Sequence, residues 1–202
     1  MVRLMIIAGA LLIVSGSCSQ MVKMRYGVRE PREESPATIS AFMDKMRQPD
    51  STCFTFRDSA SYCRFLKDPV LRKDLLGSFI FNSRGLVINY KDTAKCRWSA
   101  TTFIRNLRGD TTYQVDTSYR FGELYRQIKP LVASSSGEVD ERGCDFVIVI
   151  TWAVYAGKLN ERLFDADEAA SENPRIRARV LFLNTDMQKE WKLRPDQKLV
   201  IR

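Results

Sequence analysis

The chain has 202 residues, of which 45% are hydrophobic and 28% charged, with a formal net charge of +8. That length suits one domain of ordinary size with a substantial core. Histidine is absent, which excludes serine or cysteine nucleophiles activated by imidazole and zinc sites built on imidazole ligands.

The first residues fall into three parts. Met1-Val2-Arg3 brings one positive charge, Leu4 to Val14 is an apolar run, and the small residues Ser15-Gly16-Ser17 lead to Cys18. A charged start, a short apolar core and a small-residue cleavage site form the pattern of a secretory signal. The run is shorter than the ~20 residues a spanning helix needs. Cysteine directly after the small residues resembles the lipobox of bacterial lipoproteins, although Ser15 stands where leucine is common. The resemblance implies cleavage before Cys18, acylation of Cys18 and a membrane tether. An ordinary signal peptide with a chance cysteine is the plainer alternative. The expected organisation is a signal over 1–17, a lipidated tether and linker over 18–36, and one domain over 37–202. No acidic run follows Cys18, so a periplasm-facing position in the cell envelope is expected. Removing residues 1–17, whose sole charge is Arg3, takes the net charge from +8 to +7. On an exported lipoprotein that charge fits nearby anionic lipid or an acidic partner. The basic residues are dispersed without a basic-aromatic stacking motif, so nucleic acid is not an expected partner.

Past the linker, Ser35-Pro36 is a helix start, with serine as N-cap and proline in the first turn. Ile39, Phe42, Met43 and Met46 then recur at helical spacing. Cys53 to Phe56 reads as a short strand, and Asp58 can cap a helix burying Tyr62, Phe65 and Leu66. Gly77 to Tyr90 reads as a hairpin turning at Asn82-Ser83-Arg84-Gly85. Ala100, Phe103, Ile104 and Leu107 define one buried helical face. Arg108 to Ser118 is polar, with a turn at Gly109-Asp110. Phe121, Leu124, Tyr125 and Ile128 give another helix, stopped by Pro130, and Ser134 to Gly137 reads as a flexible loop. Phe146 to Ile150 is the most apolar run outside the signal and predicts a central strand buried on both faces. A helix with Leu159, Leu163, Ala166 and Ala170 leads to a second buried strand, Val180 to Leu183, expected to be parallel to the first. From Met187 on, the chain is short, amphipathic and basic.

Four cysteines follow Cys18: Cys53, Cys63, Cys96 and Cys144. They lack the paired spacing of a metal ribbon, so no metal is expected. In an oxidising compartment they permit one or two disulfides, with the pairing open. Asp165, Asp167 and Glu168 share a helix but not one face, which favours a solvated surface over acid-base chemistry. Asn184 and Asp186 are expected to turn the chain at a strand end.

The segment Val149-Ile150-Thr151-Trp152-Ala153-Val154-Tyr155-Ala156-Gly157-Lys158-Leu159 resembles the active-site strand and helix start of thioredoxin-like proteins, W-A-x-W-C-G-P-C. Leu181 to Asp186 resembles the next strand of that family, which commonly ends in N-x-D. The resemblance implies an α/β fold with a thioredoxin-like central mixed sheet flanked by helices. The hairpin precedes the active-site-like strand instead of following it, which implies a rearranged strand order. Ala156 and Leu159 replace the redox cysteines, and Leu76 stands where the family has its cis-proline. Thiol exchange requires a thiolate, so the resemblance implies a scaffold without that chemistry. The degenerate positions Trp152, Tyr155, Ala156, Gly157 and Leu159 are then expected to border a groove that binds an envelope protein, with no cofactor. The alternative is a thiol-disulfide oxidoreductase using Cys53 and Cys63 as a displaced pair; those two could equally form a structural bridge or remain buried thiols.

Overall fold

A computed structural model describes residues 23–46, 52–72, 75–90, 99–131 and 143–193. The stretch read as a signal, Cys18, Cys96 and the stretch Ser134 to Gly137 read as a loop lie outside the described residues.

Among the described residues nine strands and five helices follow one another along the chain after a helical turn at 23–26. The strands are β1 (Glu33–Glu34), β2 (Cys53–Phe56), β3 (Gly77–Asn82), β4 (Leu86–Ile88), β5 (Val115–Arg120), β6 (Ile128–Pro130), β7 (Phe146–Trp152), β8 (Ala178–Asn184) and β9 (Met187–Gln188). The helices are α1 (Pro36–Lys45), α2 (Ser59–Lys67), α3 (Ser99–Arg105), α4 (Phe121–Gln127) and α5 (Leu159–Ser171). Seven strands form one mixed sheet in the order β5-β4-β3-β7-β8-β2-β6. β7 and β8 are parallel, as are β8 and β2, and the remaining neighbours are antiparallel. The expected α/β class, with a mixed sheet between helices, is therefore present. β1 and β9 form a separate parallel pair, Glu33 opposite Met187 and Glu34 opposite Gln188.

The sheet is covered on both faces, which is why β7 is apolar at almost every position. Alternate residues point to opposite sides. Val147 and Val149 join one core with Phe54, Phe56, Phe79, Phe81, Leu181 and Leu183, under Tyr62 and Phe65 of α2 and Leu124 of α4. Phe146, Ile148, Ile150 and Trp152 join the other, with Ile39 and Met43 of α1, Ile104 of α3 and Phe164 of α5.

The local signals act as expected at several ends. Ser35 caps α1, its hydroxyl accepting the Thr38 N–H at 3.2 Å, with Pro36 in the first turn. Asp58 caps α2, accepting the Ser61 N–H at 2.6 Å. Asn82 closes the hairpin by accepting the N–H groups of Arg84 and Leu86 at 3.0 Å each, and Gly85 takes φ 72°.

Four strands differ from the sequence reading. β5 lies in the stretch read as a polar turn region; it is an edge strand, so alternate polar residues stay in water. β6 was expected to be the end of a helix. α4 stops at Gln127, and Ile128 to Pro130 becomes the opposite edge, where a proline without an N–H is tolerated. β1 and β9 are two residues each and carry no periodicity to read. α5 is present, but its buried face is Asn160, Phe164, Ala166, Ala169 and Ala170. Leu159 and Leu163 are only half-buried, because the Phe164 ring takes the inward position against Trp152 and Phe182.

Candidate functional site

At the C-terminal ends of β7 and β8 three segments of chain meet. The first leaves β7 at Trp152, makes one turn of 3-10 helix over Val154–Ala156, and enters α5 through Gly157. Gly157 has φ 55° and ψ −130°, a conformation that L side chains rarely adopt. Asn160, wholly buried in the first turn of α5, fixes this loop. Its Nδ2 donates to the carbonyls of Ala153 at 2.8 Å and Gly157 at 2.9 Å, and its Oδ1 accepts the Ala153 N–H at 3.3 Å.

The second segment leaves β8 at Asn184. Its amide makes the anticipated turn, Oδ1 accepting the Asp186 N–H at 3.2 Å while Nδ2 donates to Asp186 Oδ2 at 2.8 Å. Asp186 Oδ2 also accepts the Val154 N–H at 2.7 Å, tying the two strand ends together. Asp186 is 1% exposed and its Oδ1 has no hydrogen-bond partner. Burial pushes this carboxyl up to about 6, and the nearby Glu34 acts in the same direction; bonds from Val154 and Asn184 oppose them. Glu34, itself buried, is paired with the exposed Arg32 at 2.6 Å.

The third segment is the entry to the hairpin. Gly77 N–H donates to Thr151 Oγ1 at 2.9 Å, and Thr185 Oγ1 donates to the Leu75 carbonyl at 3.3 Å. Leu76, between them, thus lies beside the ends of β7 and β8.

The surface over Trp152 to Ala156 is closed, and of the two readings of Trp152, core and groove contact, its burial matches the core one. Trp152, Ala153 and Ala156 are fully buried. Trp152 is a core residue, stacked on Phe42 at 5.5 Å and edge-on to Phe164 at 6.1 Å. Over the turn itself lies a strap from the segment expected to be a linker. Residues 23–26 form a helical turn, and the chain then crosses the head of α5. Arg29 N–H donates to the Tyr155 carbonyl at 2.8 Å, and Lys158 N–H donates to the Tyr26 carbonyl at 2.7 Å. The Arg162 guanidinium stands 5.5 Å from the centre of the Tyr26 ring. A Cβ on Gly157 would collide with the Tyr26 and Gly27 carbonyl oxygens. Neither Asn160 nor the strap was anticipated. A polar residue in a helix repeat looks solvated, and only the pairing of Gly27 with Gly157, far apart in sequence, hinted at a close backbone approach.

Ala156 is buried and Leu159 half-buried. Among the described residues Cys53, Cys63 and Cys144 form no disulfide. Cys53 belongs to the core under α1, α3 and α5, whereas Cys63 is on α2, whose Tyr62 and Phe65 pack on the other face. The sheet separates the pair. A shallow hollow of about 450 Å³ beside α5 is lined by Met46, Phe164, Glu161, Asp165, Asp167, Glu168 and Ser171, and burial raises the Asp167 carboxyl. Among the described residues no group of three or more histidines, cysteines or carboxylates could hold a metal, and no helix is long and apolar enough to cross a membrane.

Against known proteins, no family model matches the chain, and neither does any curated protein or solved structure.

Proposed function

We propose that the chain is an exported lipoprotein, anchored through Cys18, whose domain is a rearranged thioredoxin-like sheet without redox chemistry, retained to bind a protein of the cell envelope. One observation carries this reading. The Trp152-Ala153 strand end, the Asn184-x-Asp186 strand end and the Leu75 to Gly77 hairpin entry converge at one end of the sheet, although the hairpin comes first in the chain. The resemblance requires those three segments to meet. The two positions that would carry sulfur hold Ala156 and Leu159, and without a thiolate no exchange can begin. The separation of Cys53 and Cys63 by the sheet weighs against a displaced pair.

The test is the intact mass of the protein from the membrane fraction, alkylated with and without prior reduction. The expected species begins at Cys18 and carries acyl chains. A species retaining Met1 without lipid overturns the export half of the proposal. A purified protein that reduces or reshuffles a disulfide substrate, and loses this in Cys53→Ser with Cys63→Ser while staying folded, overturns the noncatalytic half.

A further inference from the structure

We propose that the Tyr155–Lys158 turn is a docking site for a peptide segment that turns after an aromatic residue, that residues Tyr26–Arg29 occupy it in cis, and that a partner binds by taking their place. This rests on the reading of the domain as a binding module and names how its site is regulated.

The site has three parts, all on the domain side. The Tyr155 carbonyl and the Lys158 N–H point outward and are satisfied by the strap, through Arg29 and Tyr26. Lys158 heads α5 without any side-chain cap, so the helix start depends on an outside acceptor. Gly157 lacks the Cβ that would keep another backbone away. Arg162, one turn into α5, covers the face of an aromatic ring. A carbonyl, an N–H and a bare glycine recognise main chain rather than a particular sequence; the guanidinium adds the preference for an aromatic side chain.

The present occupant is lightly held. Residues 23–26 are helical, and three of the four side chains face solvent. Its Met24 is 83% exposed, so no apolar side chain of that turn but Tyr26 contributes burial. The Lys23–Glu30 ion pair at 2.7 Å is exposed on both sides, and such pairs contribute little. Segments with few buried contacts open locally without unfolding the rest.

The test uses the full mature chain and a fluorescein-labelled peptide of residues 23–32, followed by anisotropy. Arg29→Pro with Tyr26→Ala removes the strap's own donor and ring and leaves every atom of the site in place. The double variant is expected to bind the peptide about tenfold or more tighter than wild type, because the competent fraction rises. Adding Gly157→Ala to it abolishes binding. Should that variant fail to fold, Arg162→Ala in the same background is expected to erase the preference for the 23–32 peptide over a second peptide carrying Tyr26→Ala. Equal peptide affinity in wild type and the double variant, or binding untouched by both site substitutions, overturns the proposal. Either failure leaves the mass and disulfide-exchange tests of the broader function unaffected, so the two can fail separately.

Discussion

Asp186 offers a quantitative test of the junction between β7 and β8. Its carboxyl is buried with one oxygen unpartnered and is raised from 3.8 to about 6. The charged groups near it are Glu34, which raises it further, and Arg32, whose guanidinium it holds charged; the buried Tyr62 and half-buried Tyr155 carry no charge near neutrality. Since the folded state holds the proton more tightly than the unfolded chain, stability falls as pH rises from about 4 through 6 and levels off above. A displacement of about two pH units corresponds to about 3 kcal/mol when complete, and roughly 1 kcal/mol of it falls between pH 5 and pH 7. Urea unfolding at pH 5, 6 and 7, followed by tryptophan fluorescence, measures this. Asp58, held below the ordinary carboxylate range by the Ser61 N–H it caps, works in the opposite direction, but its loss is confined to pH near and below 4. Asp186→Asn isolates the effect, because it keeps an acceptor for the Val154 N–H and cannot titrate. The difference between wild type and variant should change by about 1 kcal/mol across the range. Identical pH dependence in the two proteins would refute the reasoning and return Asp186 to an ordinary carboxyl.

Asn160→Ala strands the Ala153 N–H and the carbonyls of Ala153 and Gly157, and is expected to cost about 3 kcal/mol by the same unfolding assay. A loss within a few tenths would show that the loop does not depend on it. Trp152→Ala should cost about 3–5 kcal/mol, as for a filled core position; a stable variant defective only in partner binding would place the ring in contact with ligand instead. In the folded protein without reductant, the half-buried Cys63 should react with a maleimide while Cys53 stays protected until denaturation. Equal rates would mean that the core under α1 opens freely.

How much was legible follows from where each signal lives. Caps and turns act over three or four residues, so Ser35, Asp58 and Asn82 announced themselves. β7 was legible because a strand covered on both faces needs apolar residues at nearly every position. β5 and β6 were not, since an edge strand half in water resembles a loop, and Pro130 mimics a helix stop. The strap and the Asn160 network escaped because their partners are fixed only in space: Tyr26 finds Lys158 once β7, α5 and β8 are assembled.

The pairing of β1 with β9 also bears on when the protein can fold. β2 waits for β8, β3 for β7 and β1 for β9, while the strap before β1 settles on Tyr155 and Lys158. These partners lie far along the chain, and such long-range contacts form slowly. A nascent chain emerging from its N-terminus therefore lacks the centre of its own sheet until β7 and β8 have followed. The domain closes when β9, the last described strand, reaches β1, the first.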